Sequence, residues 1–153
     1  MPSAWDDIWM AVANDVAERS LCSRGGCGAV IVDHRNRIVA TGYTGPPAGF
    51  AHHGEMCRVW CPRGSKTDQQ VQPDYQDCFS IHAEMNAIAF CDRRDREGGT
   101  LYVTSSVCWD CAKVIANSGV QRVIVPDDAA HREPARSISL MRKCGLIVNT
   151  YGR

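Results

Sequence analysis

Two short segments, His82-Ala83-Glu84 and Cys108-Trp109-Asp110-Cys111, constrain the fold of this chain more than any other feature. One imidazole and two sulfurs are the donor set of a tetrahedral zinc ion that keeps its fourth position open for water. Water in such a position has its pKa pulled down to about 7. Glu84 stands two residues after the histidine, close enough to reach that water without binding the ion itself. The strand-like run Leu101-Tyr102-Val103-Thr104 lies between the segments. For the ligands to meet, a helix opening at His82, a strand ending at Thr104-Ser105-Ser106 and a helix opening at Cys108 must bring their ends to one crevice. In an open α/β sheet that crevice lies at the carboxyl ends of strands. Helix N-termini carry partial positive charge and unpaired N–H groups, which favour the thiolate forms of Cys108 and Cys111.

The rest of the composition narrows the partners. The 153 residues are read as one domain over 1–153, with a long loop over 45–80. Seventeen Lys and Arg balance seventeen Asp and Glu, so the formal net charge is zero. Such a balance offers no electrostatic footprint for DNA or tRNA, although a local pocket for one phosphate fits it. No apolar run approaches membrane-spanning length, and the first residues are acidic and amphipathic, unlike a basic leader before an apolar core. The expected location is cytoplasmic, without membrane or nucleic-acid partners. Nine cysteines in a reducing compartment then point to metal ligands plus a few buried thiols.

Periodicity supplies the elements. Asp6 or Asp7 caps a first helix running to Arg19, with Ile8, Trp9, Val12 and Val16 near one face. Residues 28–32 and 37–42 read as a hairpin around His34-Arg35-Asn36. The segment 45–54 is Gly- and Pro-rich loop, and 58–77 is a polar excursion that needs a staple to be ordered. Helices are expected over 82–93, 108–117 and 135–143, ended in the last two cases by Gly119 and Gly145. Strands are expected over 101–104, 120–125 and 146–148. This order means helices packed on a mixed sheet.

Each motif has a bland reading. H-x-E alone is common, and C-x-x-C alone can be half a structural zinc site or a redox pair. Their order, and their place after a hairpin and a long loop, favour a catalytic zinc. H-x-E followed by P-C-x-x-C is the signature of zinc-dependent base deaminases, and this chain resembles it, with Val107 where that signature has proline.

The resemblance extends over residues 11–125. Gly28-Ala29-Val30-Ile31-Val32, Thr41-Gly42-Tyr43, Gly45, Pro47, His82-Ala83-Glu84-Met85-Asn86-Ala87-Ile88, Leu101-Tyr102-Val103-Thr104 and Cys111-Ala112-Lys113 resemble the deoxycytidylate (dCMP) deaminase family. That resemblance implies a cytidine deaminase-like fold, a three-layer α/β/α sandwich around a mixed sheet of roughly five strands. It implies a Zn2+ enzyme that hydrolyses dCMP to dUMP and ammonia. It also implies a homo-oligomer, dimer or hexamer, with dCTP and dTTP as effectors. His82, Cys108 and Cys111 would hold the catalytic zinc. Glu84 would take the water proton, protonate the ring nitrogen and help ammonia leave, which requires a carboxyl pKa tuned by desolvation.

Thr44, Arg24, Ala83, Ser106 and Trp109 are the candidates for substrate contact, Trp109 as a stacking surface for a base. Three departures from the family pattern bear on the substrate. Thr44 replaces the asparagine of a Gly-Tyr-Asn-Gly motif, Gly25-Gly26-Cys27 lacks a basic residue before the strand, and Val125-Pro126-Asp127 lacks an aromatic. A modified cytidylate, a nucleoside or another nucleobase is the alternative substrate. A zinc-stabilised binding module without catalysis is the alternative of another class, against which Glu84 argues.

Cys22, His53, Cys57 and Cys78 fall near positions where relatives carry a second, structural zinc, which would pin the long loop; His52 and Cys61 compete as ligands. Cys27, Cys91 and Cys144 are expected in the core. Trp5 and Trp9 are expected to pack, and Trp60 is either a lid or an exposed loop residue.

Overall fold

Side-chain alternation along the strands decides the layering. Every residue of β1 (Gly28–Val32) is buried. Ala29 and Ile31 join one apolar cluster, and Val30 and Val32 join another on the opposite face. Leu101 and Val103 against Tyr102, and Val123 and Val125 against Ile124, repeat this division in β3 (Thr100–Val103) and β4 (Arg122–Pro126). A strand apolar on both faces must be covered on both. The computed structural model describes residues 4–50, 59, 61–64, 77–127 and 134–152.

One cover is α1 (Ala4–Ala17), whose Met10 and Ala13 enter the cluster of Val30, Tyr102 and Ile124. The other cover holds α2 (Ala83–Ala89), α4 (Trp109–Ala116) and α5 (Pro134–Lys143). These contribute Ala83, Ala87, Cys111, Ala112, Ile115 and Met141 to the larger cluster. With β2 (Ile38–Tyr43) and β5 (Ile147–Tyr151), the sheet has five strands in the order β2-β1-β3-β4-β5. β1 pairs antiparallel with β2 and β3. β3, β4 and β5 run parallel, so α4 and α5 are the crossovers between them. The result is the expected mixed three-layer α/β/α sandwich.

Several elements differ from expectation. α1 begins at Ala4, which places Asp6 inside the helix instead of at its cap. Asp6 is 3% exposed. Its oxygens accept hydrogen bonds from Tyr102 Oη at 2.7 Å and from Arg122 Nη1 and Nη2 at 2.8 and 2.7 Å. This rotates the helix so that Ile8 faces outward, 46% exposed. Trp5 is also exposed and stacks on the half-buried Trp9, with centroids 5.4 Å apart.

The helix expected over 82–93 stops at Ala89, and a separate four-residue helix, α3 (Arg93–Arg96), follows. Asp92, at φ −62° and ψ 140°, is extended and breaks the run. The Arg96 side chain then donates to the carbonyls of Ile88, Cys91 and Ser118, tying the turn after α2 to the turn after α4. β5 runs to Tyr151, beyond the expected end. Cys91 is buried and Cys27 half-buried, but Cys144 is exposed in the turn after α5, where it packs no core. Among the described residues, no helix is long and apolar enough to cross a membrane.

Candidate active site

The end of the sheet where β3 and β4 finish gathers the two motifs. His82 is the N-cap of α2, in extended geometry, and Cys108 is the N-cap of α4. Cys108 Sγ accepts the Cys111 N–H at 3.5 Å, so the sulfur itself performs the capping role. His82 Nδ1 lies 3.5 Å from Cys108 Sγ and 3.3 Å from Cys111 Sγ. These ligand atoms all lie within 4.8 Å of one another. Tetrahedral bonds of the usual Zn–N and Zn–S lengths would set nitrogen and sulfur about 3.5 Å apart, so the donor set fits one zinc ion. Among the described residues this is the one such group of three.

Glu84 sits on the first turn of α2 and is 3% exposed. Burial raises its carboxyl above the ordinary carboxylate range, against the opposing pull of His82. Burial also works against the His82 imidazolium, but the Cys108 sulfur and the Glu84 charge outweigh it and leave His82 raised. The hydrogen bond from Cys111 lowers Cys108 to about 4, while donating that proton raises Cys111. The cluster thus favours the thiolate at Cys108, and a zinc ion held by these residues would favour loss of the Cys111 proton as well.

The remaining candidates are placed unequally. Ala83 is wholly buried, pressed against β2. A Cβ on Gly42 would overlap the Ala83 carbonyl oxygen and the Ala87 nitrogen, so Gly42 is what lets β2 and α2 meet. Thr44 is 7% exposed, and its successor Gly45 forms a bridge to Ile81, next to His82. Asn86 Nδ2 donates to the Tyr43 carbonyl at 2.8 Å and ties that loop to α2. Ser106 is buried at the end of β3, and Arg24 is exposed in the loop before β1. Val107, at the signature's proline position, is 3% exposed and belongs to the core cluster.

Two residues were invisible to motif reading. Arg63 is 8% exposed, pairs with Asp77 at 3.5 Å and lies near enough to His82 to oppose its protonation. Arg136, on the first turn of α5, has its guanidinium carbon 3.8 Å from the centroid of the Trp109 ring. Neither sits at a recognisable spacing from the ligands, and only the fold brings it there.

Of the second cysteine group, Cys22 and Cys78 do come together, around Cys61. His53 and Cys57, like His52 and Trp60, lie outside the described residues. Cys61 is 1% exposed and its sulfur accepts the Phe79 N–H at 3.5 Å. The competing candidate is therefore the buried centre of the group.

Comparison with known proteins agrees with this geometry. Residues 3–126 match the family described as "Cytidine and deoxycytidylate deaminase zinc-binding region". A deoxycytidylate deaminase of Mycobacterium phage D29 is 41% identical over 129 residues, spanning 82% of this chain and 96% of that protein. One from Enterobacteria phage T4 is 31% identical, spanning 91% of this chain and 86% of its own. The crystal structure of dCMP deaminase from cyanophage S-TIM5, in complex with dCMP and dUMP, superimposes with a TM-score of 0.73 at 26% identity, covering 99% of both chains. With residues 3–126 matching the family's zinc-binding region and a His-Cys-Cys set converging beside a buried glutamate, the chain belongs to the cytidine and deoxycytidylate deaminase zinc-binding family.

Proposed function

We propose that this chain deaminates dCMP to dUMP and ammonia, with His82, Cys108 and Cys111 as zinc ligands and Glu84 as the proton carrier. The observation that carries the reading is Glu84, a buried carboxyl held against a converged His-Cys-Cys set. Zinc, when bound, supplies a Lewis acid and an acidified water. The protein supplies the rest. Burial raises the Glu84 carboxyl above the ordinary carboxylate range, the direction that suits a residue proposed to accept a proton from water and return it to the substrate. A non-catalytic module would have no use for such a group.

The dCMP assignment is supported by the phage relatives and by the cyanophage enzyme that binds dCMP and dUMP. Thr44, Ala83, Ser106 and Trp109 are proposed to line the substrate, and Arg24 to meet its phosphate. A second zinc at Cys22, His53, Cys57 and Cys78, with His52 and Cys61 as competing ligands, is proposed to anchor the long loop. Homo-oligomerisation, response to dCTP and dTTP, and a cytoplasmic location belong to the same reading.

Ammonia release by the zinc-loaded protein, beside Glu84→Ala, tests it across dCMP, CMP, dCTP, deoxycytidine, 5-substituted dCMP and guanine. Release from dCMP that disappears in Glu84→Ala with zinc retained is the expected result. Release from another compound alone would keep the mechanism and reassign the substrate. Silence from all of them would leave the binding module.

A further inference from the structure

Thr44 follows the last residue of β2, and the backbone on either side of it is engaged within the protein. The Tyr43 carbonyl accepts the Asn86 side-chain N–H at 2.8 Å, and the Thr44 N–H donates to the Cys27 carbonyl at 3.0 Å. The Thr44 carbonyl accepts the Ser20 hydroxyl at 2.9 Å and the Leu21 N–H at 3.3 Å. The Gly45 N–H donates to the Ile81 carbonyl at 3.2 Å. All four polar groups of the two peptide units flanking Thr44 are therefore bonded, which fixes both planes and the direction of the side chain between them. Threonine, branched at Cβ, adds little rotameric freedom of its own. Two of the partners are side chains. Asn86 lies on α2, where its own N–H donates to the His82 carbonyl at 3.0 Å and Glu84 stands two residues before it. Ser20 lies in the turn after α1. The loop is thereby tied to the helix that carries a metal donor and the buried carboxyl.

We propose that Asn86 and Ser20 are positioning residues, which hold Thr44 in the pose that meets the substrate, at a fixed offset from His82 and Glu84. This rests on the deaminase reading above and on Thr44 as a substrate contact within it. A loop ordered in advance spares the substrate the cost of ordering it.

The test measures kcat and KM for dCMP in the zinc-loaded parent and in Asn86→Ala, Asn86→Gln and Ser20→Ala. Thr44→Val is measured alone and combined with Asn86→Ala. Losing one tie leaves a carbonyl short of a donor and the loop free to shift, so KM should rise about 10-fold, with kcat and zinc content changed much less. Glutamine keeps the amide donor, so Asn86→Gln should recover part of the loss. Because Asn86 acts through Thr44, Asn86→Ala should add little to KM once Thr44→Val has removed the hydroxyl. Additive effects in the double variant, or an unchanged KM with only a lower Tm, would make Asn86 a structural tie and overturn the proposal. Ser20→Ala carries the same expectations, alone and with Thr44→Val, should the Asn86 variants not fold. If the parent turned over none of the compounds named above, the deaminase reading would fail instead. Amide hydrogen exchange would then decide the positioning by itself. Exchange at Thr44 and Gly45 should quicken about 10-fold in Asn86→Ala and Ser20→Ala while that of β1 holds, and unchanged exchange would refute the proposal.

Discussion

Cys27 and Asp6 show how far a residue's role depends on neighbours remote in sequence. Cys27 lies just before β1, and Thr104 Oγ1 donates to its sulfur at 3.6 Å. Burial, and then the Glu84 charge, push its thiol up from 9.0 to about 12. Below pH 9 the thiol is protonated in both the folded and unfolded chain and contributes no pH dependence. Between pH 9 and 12 the unfolded chain ionises while the folded one does not, so stability falls as pH rises. Near pH 10 this loss is about 1 kcal/mol. Urea denaturation at pH 8 and pH 10 should show the parent losing that much more than Cys27→Ala; equal losses would mean the thiol is not so desolvated. Asp6 is a different case, a buried carboxylate bound to Tyr102 and Arg122 on the face of the sheet away from the metal donors. Arg122 retains some exposure, which moderates its share. Asp6→Ala should cost about 2–3 kcal/mol, measured by denaturant titration, without changing activity per folded molecule. A fall in specific activity would show that α1 and the site are coupled.

At the scale of elements, two glycines control how closely helices approach the sheet. A Cβ on Gly42 would strike backbone atoms of Ala83 and Ala87 in α2, and one on Gly28 would strike Ala13 and Ala17 in α1. Backbone cannot yield as a flexible side chain can, so each alanine substitution should destabilise by about 1–3 kcal/mol. The two should differ in the site. α2 carries His82 at its cap and Glu84 on its first turn, whereas α1 carries no ligand. Gly42→Ala should weaken zinc binding in a competition assay with a chromogenic chelator, and Gly28→Ala should leave it near the parent value. Equal zinc affinities would mean that α2 moves without moving its cap. Periodicity made the existence of these helices legible, because apolar spacing is a local property. The ends were less so: nothing before Asp92 marks the stop of α2, which depends on Arg96 reaching back to the carbonyls of Ile88 and Cys91. The metal donors were legible because their chemistry is rare and their order fixed. Asp6 with Arg122, and Trp109 with Arg136, were not, because each pair joins elements whose proximity is set only by sheet order.

For the whole molecule, the question is whether zinc holds the fold or only equips it. The larger core cluster already joins α2, α4 and α5 to all five strands through Ala83, Ala87, Ala112, Ile115 and Met141, with Ile31, Ala40, Leu101, Val123 and Val148 beneath them. The parallel and antiparallel ladders close the sheet without any contribution from the ligands. His82 and Cys108 are caps whose carbonyls accept the first helical hydrogen bonds, from Asn86 N–H at 3.0 Å and Ala112 N–H at 2.9 Å, so losing the ion frees their side chains while these backbone bonds and the helix interiors stay in place. A ligand that binds only the folded state still adds stability in proportion to the logarithm of its saturation, roughly 3–4 kcal/mol at 100 to 1,000 times Kd. Removing zinc with a strong chelator should therefore abolish turnover and lower Tm by several degrees, with far-UV circular dichroism at 20 °C little changed. Readdition of zinc should restore both. Loss of the helical signal on chelation at that temperature would show instead that the ion is a structural requirement, and that the core around Ile31 and Leu101 does not suffice to hold α2 and α4 in place.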